Sequence, residues 1–177
     1  MLVRLPRTDR FIAHEDTILE FWHRFDSPIG PLSLCATERG LARVAFASEH
    51  PPTPSDSTNH ILEKAIVWLQ SYFSGRFLPV DFPLELDDDS FTRRAQWALA
   101  DIPPGSTRSY FWLAQAAGSP SAIRAAGTAC ATNPLPLVLP CHRIVRADGT
   151  VGRYRGGQHV KVWLLEHEGN HGATTGV

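Results

Sequence analysis

Hydrophobic and polar positions in the first half of the chain follow two different periods. Alternating apolar and polar residues, bounded by turn residues, predict strands at 21–26, 32–36 and 41–46 that would form a β-hairpin or meander. Apolar residues then recur every three or four positions over 61–73, which is the spacing of an amphipathic helix. The Pro-, Ser- and Thr-rich segment 50–59 between them is predicted to be a loop. The first half should therefore be a small sheet with one helix.

Helical spacing dominates the second half, where prolines and glycines interrupt it at short intervals. The predicted helices cover residues 91–100, 106–117, 121–131 and 160–167. A short apolar run at 135–139 and a glycine-containing loop at 152–157 separate the last two helices, and the residues from Gly169 onward form a predicted polar tail. These patterns indicate a mixed α/β (α+β) chain in which a small sheet precedes a mostly helical part.

An acidic linker separates the two patterns. Asp87, Asp88 and Asp89 precede Ser90, which can cap the following helix. We place a domain boundary after residue 89, because a length of 177 residues suits two compact parts. The predicted organisation is an extension at 1–20, an α/β domain at 21–89, a helical domain at 90–169 and a polar tail at 170–177.

Charge is divided unevenly between these two parts. A formal net charge of −1 gives no reason to expect a polyanionic partner for the chain as a whole. Residues 1–89, however, carry eight Lys and Arg against 14 Asp and Glu, whereas residues 90–177 carry nine against four, and eight of those nine are Arg. The resulting charges of −6 and +5 favour either a polyanion bound by the second half or attraction between the halves.

Three widely separated cysteines, Cys35, Cys130 and Cys141, do not suit a disulfide framework. The N-terminus lacks the apolar segment of a signal peptide, and no apolar run reaches the length of about 20 residues that a membrane helix needs. We therefore expect a soluble cytoplasmic protein with reduced thiols. Cys35 and Cys130 are interpreted as core residues. No spacing typical of a metal site is present, and His167 and His171 are interpreted as part of a solvated tail.

The segment Pro140-Cys141-His142-Arg143 carries the strongest chemical signal in the sequence. A free thiol has a pKa of roughly 8.5, so a neighbouring base or cation is needed to raise its thiolate fraction at neutral pH. His142 and Arg143 can supply both. Either Glu166 or Glu168 could orient His142, which would give a relay of nucleophile, base and orienting carboxylate. The alternative is that Cys141 is a buried structural thiol.

Two predicted helices joined by a short glycine-containing turn, over 107–131, have the spacing of a helix-turn-helix. The second of them is a thin rod with one long cation, Arg124, and with alanines at four positions, namely Ala122, Ala125, Ala126 and Ala129. A helix this thin can approach a phosphate backbone and could enter the minor groove, which is about 6 Å wide. The alternative is that the alanines allow tight packing against another helix.

Together these residues resemble the family of O6-alkylguanine-DNA alkyltransferases. The active-site motif of that family is matched by Pro140-Cys141-His142-Arg143-Ile144-Val145. Matches at family spacing continue at 26–32, Ser109-Tyr110, 124–127, Asn133-Pro134, 151–157, Lys161 and 163–169, so the resemblance covers about residues 21–169. It implies an N-terminal ribonuclease-H-like sheet with a helix, and a mostly helical, winged-helix-like C-terminal domain that contains the helix-turn-helix.

The resemblance also implies roles for the residues of the motif. Cys141 would take the alkyl group from O6 of guanine, and from O4 of thymine, in an irreversible transfer that each molecule performs once. His142 would activate the thiol through a bound water, and Glu168 would orient His142. Asn133 would brace the turn that carries the active site. Tyr110 would donate a hydrogen bond to the leaving guanine. No cofactor and no metal is expected.

The same resemblance implies a substrate pocket and a mode of DNA binding. The pocket would be formed by Pro136, Ile144, Tyr154, Arg155 and Gly156, with the backbone N–H of Arg155 donating toward O6 and the carbonyls of Cys141 and Ile144 accepting from the exocyclic amine. The partner would be double-stranded DNA that carries O6-alkylguanine, bound without sequence preference through the minor groove. The damaged base would be flipped out of the duplex.

In this mode of binding the thin helix enters the minor groove, where Arg124 would fill the gap left by the base and Ala125 would contact DNA. Phosphate contacts would make binding sensitive to salt. The candidates for these contacts are Arg93, Arg94, Arg108, Arg143 and Arg146. A monomer is implied, and cooperativity between copies on DNA stays open.

Two segments depart from the family pattern, and two other functions compete with alkyl transfer. The first C-terminal helix has Ala95-Gln96 where a Val-Trp pair is usual, and Trp112 stands where small or polar residues are common. A damage-binding module without chemistry would have Trp in place of Cys141. A cysteine hydrolase would use the same Cys–His–Glu set but would turn over many times.

Overall fold

The computed structural model of the protein describes residues 18–54 and 57–172. Most of the extension predicted at 1–20, and the end of the tail predicted at 170–177, lie outside these residues. Its first half contains a three-stranded antiparallel sheet in the order β1-β2-β3. The strands are β1 (Phe21–Phe25), β2 (Leu32–Ala36) and β3 (Leu41–Phe46). Trp22 pairs with Cys35 and Leu34 with Val44, so the predicted meander is confirmed.

Helix α1 (His60–Phe73) packs against this sheet through its apolar face. The Asn59 side chain accepts a hydrogen bond from the backbone N–H of Leu62 at 2.9 Å, which satisfies one of the free donors at the helix start. Ile61, Leu62 and Leu69 are buried against the strands in the core. The helical spacing seen in the sequence thus corresponds to a real buried face.

The second half consists of four α-helices and a short parallel strand pair. The elements are α2 (Phe91–Ala98), β4 (Arg108–Ser109), α3 (Tyr110–Ala116), α4 (Ile123–Ala131), β5 (Ile144–Val145) and α5 (Gln158–Gly172). Short 3-10 turns follow α2 and precede β5. The mixed α/β architecture predicted from the sequence is confirmed. None of the helices in the described part of the chain has the length and apolar character to cross a bilayer.

Two helix boundaries differ from the predicted ones by four residues or more. The helix predicted from residue 106 begins at Tyr110, because Arg108 and Ser109 pair with Ile144 and Val145, and the Ser109 side chain then caps the helix. The last helix continues past Gly169, so the tail begins later than predicted. His167 is also buried rather than solvated: its ring stacks on Trp163 at 4.8 Å.

The departure at Ala95-Gln96 is accommodated by a polar contact inside the helical half. Gln96 is completely buried, and its amide donates to the carbonyl of Ala129 at 3.0 Å. The side-chain oxygen of Gln96 accepts from the guanidinium of Arg93 at 2.6 Å. This glutamine therefore joins α2 to α4 by hydrogen bonds, while Trp97 beside it is 44% exposed.

The two halves are joined by backbone, aromatic and ionic contacts. The N–H of Val44 in β3 donates to the carbonyl of Pro134 at 2.8 Å, and the rings of Phe46 and Tyr154 meet edge to face at 5.7 Å. Arg155 lies 3.4 Å from a carboxylate oxygen of Glu49. The attraction between an acidic and a basic half that the charge pattern allowed is therefore present at this junction.

Candidate active site

Cys141 lies in a 3-10 turn between a compact proline-rich segment and strand β5. Its N–H donates to the carbonyl of Leu139 at 2.8 Å. The amide of Asn133 holds the segment from both sides: it donates to the carbonyl of Leu139 at 2.7 Å and accepts from the N–H of Leu135 at 3.0 Å. Leu137 between them has the left-handed φ of 72°, which a leucine adopts only when its surroundings hold it there. Asn133 thus braces the turn that presents the thiol.

The thiol borders a cavity of about 340 Å³ between this turn, helix α4 and the loop before α5. The cavity is lined by Tyr110, Gly127, Cys130, Ala131, Cys141, Arg153, Tyr154 and Arg155. Helix α4 contributes small residues to this wall, which leaves room beside the sulfur. Cys130, which the sequence placed in the core, is half-buried and shares this cavity with Cys141, whereas Cys35 is buried in the sheet.

Burial raises the pKa of the Cys141 thiol. The Asn133 side chain and the positive charges of Arg155 and Lys161 act in the opposite direction, but they do not outweigh burial. The adjacent cations therefore do not produce a resting thiolate at neutral pH, and the thiol needs a base to give up its proton.

His142 is fully buried and forms a close pair with Glu168 of α5. Its Nε2 lies 2.7 Å from Oε1 of that carboxylate. Burial alone would raise the pKa of Glu168, but bonds and charge from His142 and Arg143 outweigh it and lower that pKa. An ionised carboxylate only accepts hydrogen bonds, so Nε2 carries a hydrogen and Nδ1 of the neutral ring carries the lone pair. That Nδ1 atom is buried and has no hydrogen-bond partner among the described residues.

Three further residues donate hydrogen bonds to Glu168. Arg143 binds it with two nitrogens, each at 2.9 Å, and the hydroxyl of Tyr72 donates to Oε1 at 2.7 Å. The backbone N–H of Gly105 donates to Oε2 at 3.2 Å. Glu166, the other carboxylate that the sequence left open, is exposed. The structure therefore brings together Cys141, His142 and Glu168.

The prediction that Arg143 contacts DNA phosphates is wrong in this structure. The guanidinium is buried, and besides Glu168 it binds the carbonyl of Ile102. A completely buried carboxylate needs a paired cation, because an isolated charge is costly to remove from water. Arg143 provides that charge.

Two functional contacts were not predicted from the sequence. Tyr72 lies 96 positions before Glu168, and only the packing of the two halves brings it to the site. Lys161 is buried, and its ammonium donates to the carbonyl of Ile144 at 2.5 Å. The N–H of Ile144 in turn donates to the carbonyl of Cys141. Both carbonyls proposed to recognise guanine therefore already accept one hydrogen bond, and each has a second lone pair.

The predicted substrate pocket is only partly matched. Tyr110, Tyr154 and Arg155 line the cavity, but Pro136, Ile144 and Gly156 do not. Pro136 and Ile144 are buried behind the cavity in the braced turn and the strand pair. Gly156 faces the first half instead, where a Cβ atom would lie 2.7 Å from the ring of Phe46, so only glycine allows this approach.

Helices α3 and α4 pack together as the helix-turn-helix spacing predicted. Ala126 and Ala129 are buried, while Ala125 is half-buried and Arg124 is exposed. The packing interpretation of the alanine-rich helix therefore applies to its buried face, and the approach to DNA stays a prediction for the exposed face that carries Arg124. By spacing, Arg124 shares its face with Gly127 and Ala131, which are two of the three α4 residues that line the cavity.

The remaining arginines of the second half differ in how free they are. Arg93 and Arg94 bind carbonyl groups of the acidic linker, at Asp87 and Asp89. Arg108 is exposed, and its guanidinium lies over the ring of Trp112 at 5.8 Å, which gives that unusual residue a partner. Arg146 and Arg153 are exposed near the cavity side of the strand pair.

Comparisons with known proteins agree on one family. The family model of the DNA-binding domain of 6-O-methylguanine DNA methyltransferase matches residues 90–170, and that of its ribonuclease-like domain matches residues 21–87. The methylated-DNA–protein-cysteine methyltransferase of Mus musculus is 40% identical over 166 residues, with 81% of this chain and 79% of the mouse protein covered. That of Methanosarcina barkeri is 34% identical over 155 residues, with 85% and 98% covered.

Solved structures give the same result. The crystal structure of the Mycobacterium tuberculosis O6-methylguanine methyltransferase superposes with a TM-score of 0.75 at 34% identity, covering 86% of this chain and 94% of that one. A crystal structure of Mycobacterium tuberculosis OGT in complex with DNA has the same TM-score and identity, with 85% and 94% covered.

Proposed function

Because this chain belongs to the family of methylated-DNA–protein-cysteine methyltransferases and repairs DNA by alkyl transfer to a cysteine, we propose that Cys141 accepts the alkyl group from O6 of guanine. The observation that carries this proposal is the placement of Cys141. Among the three cysteines, it alone both borders the cavity and adjoins the His142–Glu168 pair. Each molecule would react once, because water does not displace the Cys141 thiolate from the alkyl carbon of the thioether that forms.

In the proposed reaction, the sulfur of Cys141 attacks the alkyl carbon in line with the bond to O6. The S–C bond forms while the C–O6 bond breaks, and its electron pair stays on the guanine. His142 takes the thiol proton on Nδ1, through a bound water in the family pattern, and Glu168 stabilises the resulting imidazolium. Tyr110, which lines the cavity, donates to the guanine as negative charge develops on it.

The buried thiol gives this reaction its selectivity. Since burial raises the pKa of Cys141, the resting sulfur is a neutral thiol that reacts slowly with electrophiles in solution. Deprotonation by His142 would become productive only when an alkylated base fills the cavity beside the sulfur. This arrangement protects a cysteine that can be used only once.

We further propose that the protein binds double-stranded DNA through the minor groove and takes the damaged base out of the stack. The cavity lies inside the protein surface beside α4, and a base in a duplex cannot reach a sulfur there. Arg124 on the cavity-facing side of α4 is the residue proposed to fill the gap in the duplex. Arg108 and Arg146 are exposed for phosphate contacts. One copy supplies every residue of the site, which supports action as a monomer.

Intact-mass analysis tests the proposed transfer directly. The protein should gain the mass of one methyl group when it is incubated with a duplex that contains O6-methylguanine, and peptide mapping should locate this group on Cys141. With excess duplex, the reaction should stop at one equivalent per protein. An unchanged mass would leave a module that only binds damage, and repeated turnover on an ester substrate would indicate a cysteine hydrolase.

Arg124→Ala should slow repair in duplex DNA about tenfold or more, while the reaction with free O6-benzylguanine stays within about twofold of the wild-type rate. The reason is that the free base needs no extrusion from a stack. Single-turnover rates on the two substrates measure this difference. Arg76→Ala is the matched control, because Arg76 is an exposed arginine of the acidic half. Equal slowing on both substrates would argue against a role in base flipping.

A further inference from the structure

The hydroxyl of Tyr72 connects the acidic N-terminal half directly to the reacting centre. Tyr72 is 1% exposed, and its hydroxyl donates to Oε1 of Glu168 at 2.7 Å. That oxygen is the same one that accepts from Nε2 of His142 at 2.7 Å. The tyrosine therefore acts on the atom that orients the proposed base, although it belongs to a helix that carries none of the sequence motifs.

The ring of Tyr72 packs among aromatic rings that hold its hydroxyl at Glu168. It stacks on Trp68 at 5.6 Å and meets Phe73 and Phe77 at 5.3 and 5.4 Å. The backbone carbonyl of Tyr72 lies 2.8 Å from Nε2 of His167, the neighbour of Glu168 on α5. Burial, followed by the charge of Glu168, raises the pKa of Tyr72, and its hydroxyl stays a donor throughout the working range of pH.

Glu168 accepts five hydrogen bonds, and their donors come from both halves of the protein. From the C-terminal half, Arg143 donates one nitrogen to each carboxylate oxygen, and the N–H of Gly105 donates to Oε2. The Tyr72 hydroxyl approaches from the other half of the protein and shares Oε1 with His142. A carboxylate oxygen with several donors has a fixed position and a dispersed charge, so it binds the imidazolium less strongly than an oxygen with fewer donors.

We propose that Tyr72 is a positioning residue for alkyl transfer: by donating to Oε1 of Glu168, it fixes that oxygen against His142 and limits how strongly the carboxylate holds a proton on the histidine. This proposal rests on the proposed function of Cys141 and His142. It assigns the N-terminal half a direct part in the reaction, beyond support of the fold.

Other charged and titratable groups around His142 also act on its pKa. Arg143 adjoins it in the 3-10 turn, Lys161 lies on α5, and the ring of Tyr154 meets the imidazole edge to face at 6.4 Å. Burial comes first in lowering the pKa of His142, Glu168 opposes it, and Arg143 and Lys161 reinforce it. None of these groups changes when only the Tyr72 hydroxyl is removed.

Tyr72→Phe tests the proposal, because phenylalanine keeps the aromatic packing and removes only the donor. Single-turnover transfer from free O6-benzylguanine should become about tenfold slower at pH 7. Loss of a hydrogen bond that orients a functional histidine typically has an effect of about this size. The pH profile of the rate should move about half a unit toward higher pH, since the less shared carboxylate holds the proton on His142 more strongly. Phe73→Leu, one position along α1, should leave that profile in place, because Phe73 belongs to the same aromatic cluster but has no group that donates a hydrogen bond to Glu168.

A titration of the His142 ring nitrogens by ¹⁵N NMR gives a second readout that needs no reaction. The ring should take up its proton at higher pH in Tyr72→Phe than in the wild type. A variant with unchanged rate, unchanged profile and unchanged ring titration would overturn the role of Tyr72. If instead wild-type protein takes up no benzyl group on Cys141, the proposed function fails, and the NMR titration still decides the placement of Tyr72.

Discussion

Replacing Cys141 by alanine should abolish alkyl transfer and leave DNA binding unchanged. The sulfur is the only atom of this side chain that can form the new bond, and no neighbouring group lies in its place. The exposed residues proposed to hold DNA, Arg108 and Arg124, are distant in sequence and are not altered. Because the resting thiol is neutral, its removal leaves no buried charge without a partner. Mass analysis with methylated duplex and a gel-shift titration with the same duplex measure the two properties.

Cys130→Ala is the matched control for this variant. Cys130 lines the same cavity, but it lies on α4 away from His142, and burial raises its pKa strongly. The Cys130→Ala protein should therefore still transfer one equivalent of alkyl group. A methyl group on the Cys141→Ala protein, or a loss of transfer in Cys130→Ala, would contradict the assignment of the acceptor. Loss of DNA binding together with transfer would indicate that the substitution disturbs the fold.

Local patterns were sufficient to predict the elements and the reactive motif. The alternation at 32–36, the helical spacing at 61–73 and the break at 118–120 depend on neighbouring residues, and each corresponds to an element or a turn in the structure. Cys141 and His142 are adjacent in sequence, so their proximity follows from covalent geometry. The family resemblance implied that Asn133 braces the turn. The bond that does so joins residues only six positions apart, so it is also a local contact.

Contacts between the halves could not be predicted in the same way. Tyr72 reaches Glu168 across 96 positions, and Gly156 approaches Phe46 across the same junction. Nothing in the sequence around Tyr72 distinguishes it from the other aromatic residues of α1. The prediction that Arg143 contacts phosphates is wrong for a related reason. The motif that contains this arginine gives no sign that its guanidinium binds a buried carboxylate 25 positions later. The partners of Glu168 therefore depend on contacts between residues far apart in the sequence, which local patterns do not predict.

The structure gives two physical explanations for the uneven charge of the two halves. Some of it acts across the junction, where Arg155 lies near Glu49. Some is used inside the second half, where Arg143 compensates Glu168 and where the buried Lys161 donates to Ile144. The positive surface available for DNA is therefore smaller than the charge of +5 counted along residues 90–177. It consists of exposed arginines beside the cavity, a placement that suits a protein which must hold DNA over one reactive sulfur.

The substitution Glu168→Gln should lower the stability of the folded protein and abolish most of the alkyl transfer. All five groups around this carboxylate are donors, namely those of Tyr72, Gly105, His142 and Arg143, the last with two nitrogens. A glutamine offers one acceptor oxygen, and its NH₂ group would face donors instead of accepting from them. Arg143 would also lose its counter-charge while it stays buried. Removing one partner of a buried ion pair costs about 3–5 kcal/mol of stability.

The loss of transfer has a separate cause from the loss of stability. The glutamine can present its NH₂ group to Nε2 as well as its oxygen, so a hydrogen on Nε2 and a lone pair on Nδ1 are no longer assured. A neutral amide also no longer stabilises the imidazolium. Urea unfolding measures the first effect, and single-turnover transfer at a temperature where the variant stays folded measures the second. Glu166→Gln is the control, because Glu166 is an exposed glutamate two positions away on the same helix. It should change neither quantity, and a folded Glu168→Gln protein that transfers at the wild-type rate would show that His142 works without its carboxylate.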